Sequence, residues 1–154
     1  MKIWCLYGVG LAAERSYLYD QRESLTEEAS LTSVPVTISG DDGDGFGSGV
    51  RTSDGDGTAP LLSLGYMCSA GWKDERYPFN PAKIPVKTVE YLHQPSNAGL
   101  EMRGGGTSGN HVDIMGNEQL IADILRISSG KGAEVPEHII SKIEDMASFA
   151  DLLR

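Results

Sequence analysis

Residues 2–10, KIWCLYGVG, form a nearly unbroken apolar run that ends in two glycines. A strand with one wet face alternates apolar and polar residues, so this run reads as a strand covered on both faces, as in a parallel sheet. Parallel neighbours are reached through long crossovers. The chain must therefore supply helices and at least one further strand. Such a strand at the very start has no chain before it to provide a crossover, and the expectation is part of a larger sheet.

The rest of the sequence supports that layout. Residues 84–93 (IPVKTVEYLH) have the β-branched and aromatic content of a second strand. Between them, residues 60–72 read as a helix with Pro60 in its first turn and Thr58 as N-cap. Residues 34–38 and 50–53 suit a short hairpin, while 21–33, 40–49 and 94–110 read as loops. A helix is expected over 117–129, capped by Asn117 and stopped by Gly130, with Leu120, Ile121, Ile124, Leu125 and Ile127 on one face. A second is expected over 136–153, carrying Ile139, Ile140, Ile143, Met146, Ala147, Ala150 and Leu153. Strand, excursion, acidic loop, helix, strand, histidine loop and helix is the order of the later part of an α/β protein. Chemistry in such folds gathers at the carboxyl ends of the strands.

Charge excludes some partners. A formal net charge of -9 opposes nucleic-acid binding, which depends on cations that displace phosphate counterions, and opposes adhesion to anionic membranes. Lipid contact would have to be apolar. No apolar run approaches the roughly 20 residues that span a bilayer, and the first residues read as a strand and not as a signal peptide. With 40% hydrophobic and 23% charged residues the composition is globular despite 19 glycines. Cys5 and Cys68 are compatible with one disulfide or with two buried thiols.

Three polar spots fall at the ends of expected strands: residues 7–10 (YGVG), 54–60 (DGDGTAP) and 110–113 (NHVD). A carboxylate on one loop and a histidine on the next suit the acid and base of a catalytic triad. The bland alternative is a surface histidine and a pair of Asp-Gly turns. No serine has glycine two residues away on both sides, as G-x-S-x-G requires; in Gly47-Ser48-Gly49 the glycines adjoin it. Residues 103–109 (RGGGTSG) lack the lysine and following helix of a phosphate loop. The acidic stretch 41–56 lacks the spacing of a calcium loop. No cofactor and no metal are expected.

The strings IWCLYGVG, ERSYLYD, DGDGTAPLLSLGYMC, FNP, SGNHVDIMGN and LIADILRISSG, in this order, resemble the C-terminal part of the lecithin:cholesterol acyltransferase family, in its phospholipid:diacylglycerol acyltransferase branch. The resemblance runs from about residue 2 to 130. It implies the C-terminal part of an α/β-hydrolase fold, a mostly parallel sheet with flanking helices, in one partial domain over residues 1–154. It also implies a Ser-Asp-His triad that moves a phospholipid acyl group to diacylglycerol. By position the acid falls on Asp56, not Asp54, and the base on His111, with the serine outside the chain. The resemblance further implies a Cys5–Cys68 disulfide, worth about 3 to 4 kcal/mol by loop closure. That points to the lumenal side of the endoplasmic reticulum membrane, reached through parts of the enzyme N-terminal to this chain. Ala12-Ala13 and Ala59 depart from the branch, which usually has Pro-Thr and Val there. The chain alone is expected to be inactive; a phospholipase of the same family and a non-catalytic fragment are the alternatives.

Overall fold

The computed structural model describes residues 1–17, 49–76, 78–95 and 104–152, with side chains as far as 149. Strand β1 (Ile3–Val9) pairs in parallel with β4 (Val86–Leu92), Ile3 opposite Val86 and Val9 opposite Leu92. Each face of this pair carries its own core. On one face Tyr7 and Val9 pack with Leu61 and Ile143, and Cys5 lies against them. On the other, Val89 and Tyr91 pack with Leu120 and Val135, joined by Trp4 and Leu6. Apolar side chains on both faces explain the unbroken apolar run of β1.

At Gly10 (φ +94) the chain turns into β2 (Leu11–Tyr17), which pairs antiparallel with β3 (Val50–Gly55) through a bulge between Glu14 and Ser16. The described sheets are thus one parallel and one antiparallel pair, a mixed α/β arrangement and not a mostly parallel one. The polar alternation AERSY hid β2, most of whose residues are exposed. The expected strand at 34–38 lies outside the described residues, and 50–53 pairs with β2.

Helix α1 (Leu61–Tyr66) continues as a single π turn, Met67–Gly71. Its N-cap is Pro60, without a side-chain hydrogen bond, so Thr58 is not the cap. Cys68, in the π turn, is disulfide-bonded to Cys5 of β1, with Cα atoms 6.3 Å apart. Helix α2 (Glu118–Arg126) starts where Asn117 accepts a hydrogen bond from Leu120 N at 3.0 Å, and Gly130 (φ 83) breaks the turn that follows. Its apolar residues do not share one buried face. Leu120 is buried, but Ile121, Ile124 and Leu125 are 42%, 43% and 62% exposed.

The last helix, α3, spans Ile143–Leu152 and so begins later than 136. Residues around His138 run beside β4 instead: Glu90 N donates to His138 O and His138 N to Thr88 O. The reason is Glu90, a carboxylate 1% exposed in the middle of β4. It accepts from Ile140 N at 2.6 Å, Ser141 N at 2.7 Å, Ser141 Oγ at 2.7 Å and Tyr7 OH at 2.9 Å. A buried carboxylate needs such donors. The helix starts only after its amides have served it. No helix among the described residues is long and apolar enough to cross a membrane.

Candidate active site

The loops after β3 and β4 meet at the carboxyl end of the parallel pair. Asp56 follows β3 directly. Its Oδ1 accepts from Thr58 N at 3.0 Å and Ala59 N at 2.7 Å, and Asp56 N donates to Ala59 O at 3.2 Å. This closes a tight side-chain-to-backbone turn, with Gly57 at φ +89. Pro60 then leaves the turn for α1. The Asp-Gly-Thr-Ala-Pro string thus fixes one carboxylate oxygen and leaves the other, Oδ2, to a partner from another loop.

His111 is placed by its own loop. Ser108, fully buried, accepts from Asn110 N at 3.2 Å through its hydroxyl and from Asn117 Nδ2 at 2.9 Å through its carbonyl. Asn117 therefore caps α2 and holds the histidine loop at once. The loop also crosses very close to β1: a Cβ on Gly8 would lie 1.8 Å from Gly109 O. Only glycine fits there, the physical reason for Gly8 in the YGVG spot.

His111 Nδ1 lies 2.7 Å from Asp56 Oδ2, and His111 N donates to Asp56 O at 2.9 Å. The Asp56 side chain is 6% exposed and that of His111 47%. Burial by itself raises the Asp56 carboxyl. The hydrogen bond to His111, those from Ala59 and Thr58, and the attraction of the imidazole outweigh it and hold Asp56 below the ordinary 3.8. An ionised carboxylate only accepts, so a proton on Nδ1 points at Asp56 Oδ2. Among the described residues Nε2 makes no hydrogen bond. The half-exposed imidazole is thus held through one nitrogen by a buried carboxylate.

Asp54 has a different position from Asp56: its Oδ1 accepts from Gly10 N and Gly55 N, both at 2.9 Å, and so ties the β1–β2 turn to β3. Asp113 opens the short turn Asp113–Gly116 that leads to α2. Sequence reasoning missed Ser108 and the double role of Asn117. The turn at Thr58 and Ala59 was legible in principle, since an Asp with amides two and three residues ahead is the pattern of a local turn.

The family model for lecithin:cholesterol acyltransferase matches residues 1–118. The chain belongs to the lecithin:cholesterol acyltransferase family. A Schizosaccharomyces pombe protein of this similarity, named phospholipid:diacylglycerol acyltransferase, is 39% identical over 153 residues, which are 99% of this chain and 22% of the relative. An Arabidopsis thaliana protein named phospholipid:diacylglycerol acyltransferase 1 is 42% identical over 130 residues, 84% of this chain and 19% of its own. The Saccharomyces cerevisiae protein of that name is 37% identical over 148 residues, 96% and 20%. The chain spans about a fifth of the length of the relatives it matches. No solved structure matches the chain. Asp56 and His111 both lie within the part covered by the lecithin:cholesterol acyltransferase model, as do both cysteines.

Proposed function

We propose that this chain is the C-terminal, acid-and-base portion of an α/β-hydrolase-type phospholipid:diacylglycerol acyltransferase. The observation that carries it is the 2.7 Å approach of His111 Nδ1 to the buried Asp56, with the imidazole half exposed. In this reading a serine on polypeptide outside the chain attacks the ester carbonyl of a phospholipid. His111 Nε2 takes the hydroxyl proton, Asp56 stabilises the imidazolium, and the proton passes to the departing lysophospholipid. The acyl-enzyme then gives its acyl group to diacylglycerol: the acceptor hydroxyl surrenders its proton to His111, and the serine recovers it as triacylglycerol leaves. The names of the relatives support the substrates. The Cys5–Cys68 bond suits the oxidising side of the endoplasmic reticulum membrane, with membrane attachment supplied by polypeptide outside this chain.

The test is a chimera of the fission-yeast relative in which this chain replaces the segment it matches. His111→Ala and Asp56→Asn should each lower triacylglycerol formation by about a thousandfold or more, with the chimera still folded. Retained transfer in either variant removes the assignment. Release of free fatty acid with diacylglycerol present, and no triacylglycerol, reassigns the site to hydrolysis.

A further inference from the structure

Gly109 is wedged across the ends of both parallel strands. A Cβ there would lie 2.7 Å from Tyr91 O and 2.9 Å from His93 N, while its own carbonyl crowds Gly8. The residue is buried, and its amide donates to His93 Nδ1 at 3.2 Å. His93 is fixed in turn just after β4, where its amide donates to Val9 O at 2.8 Å. Two histidines near the site thus face opposite demands. Nδ1 of His111 meets a carboxylate and can carry a proton; Nδ1 of His93 meets an N–H donor and must stay bare. A second proton on the His93 ring sets donor against donor and leaves a buried amide unpaired.

Other ties of this loop are of a different kind. Gln94 N donates to Thr107 O at 3.1 Å, Thr107 Oγ1 to Gln94 O at 3.0 Å and Asn117 Nδ2 to Ser108 O at 2.9 Å. Their acceptors are carbonyls, which do not titrate near neutrality, whereas histidine exchanges its proton between about pH 5 and 8. We propose that His93 is a positioning residue, a latch on the loop that carries His111, closed when its imidazole is neutral and open when it is charged. It acts through Gly109, which leads by way of Asn110 directly into His111. The consequence for acyl transfer rests on the proposed triad, while the latch itself does not. The charged groups on the elements packed around His93 are Glu90 on its own strand, Asp54 at the Gly10 amide, Asp56, His111 and Asp113 on the loops beside Gly109, and Glu118 against Gly106. Among the described residues none of them pairs with His93, whose Nδ1 is committed to Gly109.

The experiment follows hydrogen exchange of the Gly109 amide by NMR in this chain at about pH 7.5 and 5.5, on either side of the histidine range. Exchange is expressed as protection relative to a free peptide, with the Leu120 amide as the control for global opening. Wild-type protection at Gly109 should fall about tenfold on the acid side while that of Leu120 holds. In His93→Asn the side-chain oxygen takes the place of Nδ1 and does not titrate, so protection persists at both pH values; His93→Leu lacks it at both. The latch is overturned by an unprotected Gly109 amide at the higher pH, by protection that does not change with pH, or by His93→Leu as protected as wild type. In the fission-yeast chimera, kcat/KM for acyl transfer should climb through the acid limb more steeply than a single proton allows, and His93→Asn should restore a one-proton slope. Equal slopes overturn the role in transfer. A chimera that fails to transfer while Gly109 protection follows pH keeps the latch and removes the triad; transfer with no pH response at Gly109 does the reverse.

Discussion

Replacing Glu90 by leucine keeps the approximate shape of a fully buried side chain and removes every acceptor it offers. Four donors converge on that carboxylate: the Tyr7 hydroxyl, the Ser141 hydroxyl and the amides of Ile140 and Ser141. The Ser141 hydroxyl can turn to water. The buried Tyr7 hydroxyl loses its acceptor at about 1–3 kcal/mol, and the part-buried amides of Ile140 and Ser141 lose theirs at a smaller cost each. Relief from burying the charge opposes this, but the native donors already offset much of that cost. The expected net loss is about 3 kcal/mol or more, a large share of the roughly 5–15 kcal/mol that holds a domain together. Urea unfolding followed by far-ultraviolet circular dichroism measures it, with Tyr7→Phe as the second arm of a double-mutant cycle. Removing the Tyr7 hydroxyl leaves one fewer stranded donor, so the combined variant should cost less than the sum of the two. Hydrogen exchange at the Ile140 and Ser141 amides should quicken in Glu90→Leu. A variant within about 0.5 kcal/mol of the wild type, or strict additivity with Tyr7→Phe, would refute the reasoning.

Two further outcomes are expected. Gly8→Ala places a methyl group 1.8 Å from Gly109 O, and main chain must move to admit it; the loss should exceed about 2 kcal/mol in urea unfolding, with a displaced His111 ring resonance by NMR. Asp56 is held below its ordinary 3.8, so its contribution to stability is present above that value and disappears as pH falls through the lower, folded-state value. The stability gap between wild type and Asp56→Asn should therefore be wide near pH 6 and close in the acid range; a gap independent of pH would contradict the account of a stabilised carboxylate.

Much of the arrangement was legible where local chemistry and tertiary packing agree. The apolar run of β1, the Asn117 cap and the break at Gly130 each follow from one physical preference acting alone. Residues 136–142 misled because their isoleucines at helical spacing are equally consistent with an extended segment. What decides between the two is Glu90, 50 and 51 residues before the amides it holds, and no local pattern reports which amides a distant carboxylate will claim. Strand β2 was lost for a related reason: a strand facing water needs few apolar residues, and its pairing with β3 depends on Gly10 turning the chain back. At the site, sequence order pointed to the two loops, but the closeness of Gly8 to Gly109 and the buried Ser108 are tertiary facts. Apolar periodicity also says nothing about how much of a helix its neighbours will cover. Ile121, Ile124 and Leu125 look like core residues and lie in water among the described parts of this chain.

The amide of His111 reaches the carbonyl of Asp56 independently of either side chain. Erasing the imidazole or the carboxylate therefore cuts one of two ties, and the surviving one belongs to the backbone and cannot be mutated away. A silenced version should keep its entrance contours while losing its proton traffic. Under the proposed acyl-transfer reading, that makes it suitable as a trap for an uncleaved ester in the chimera.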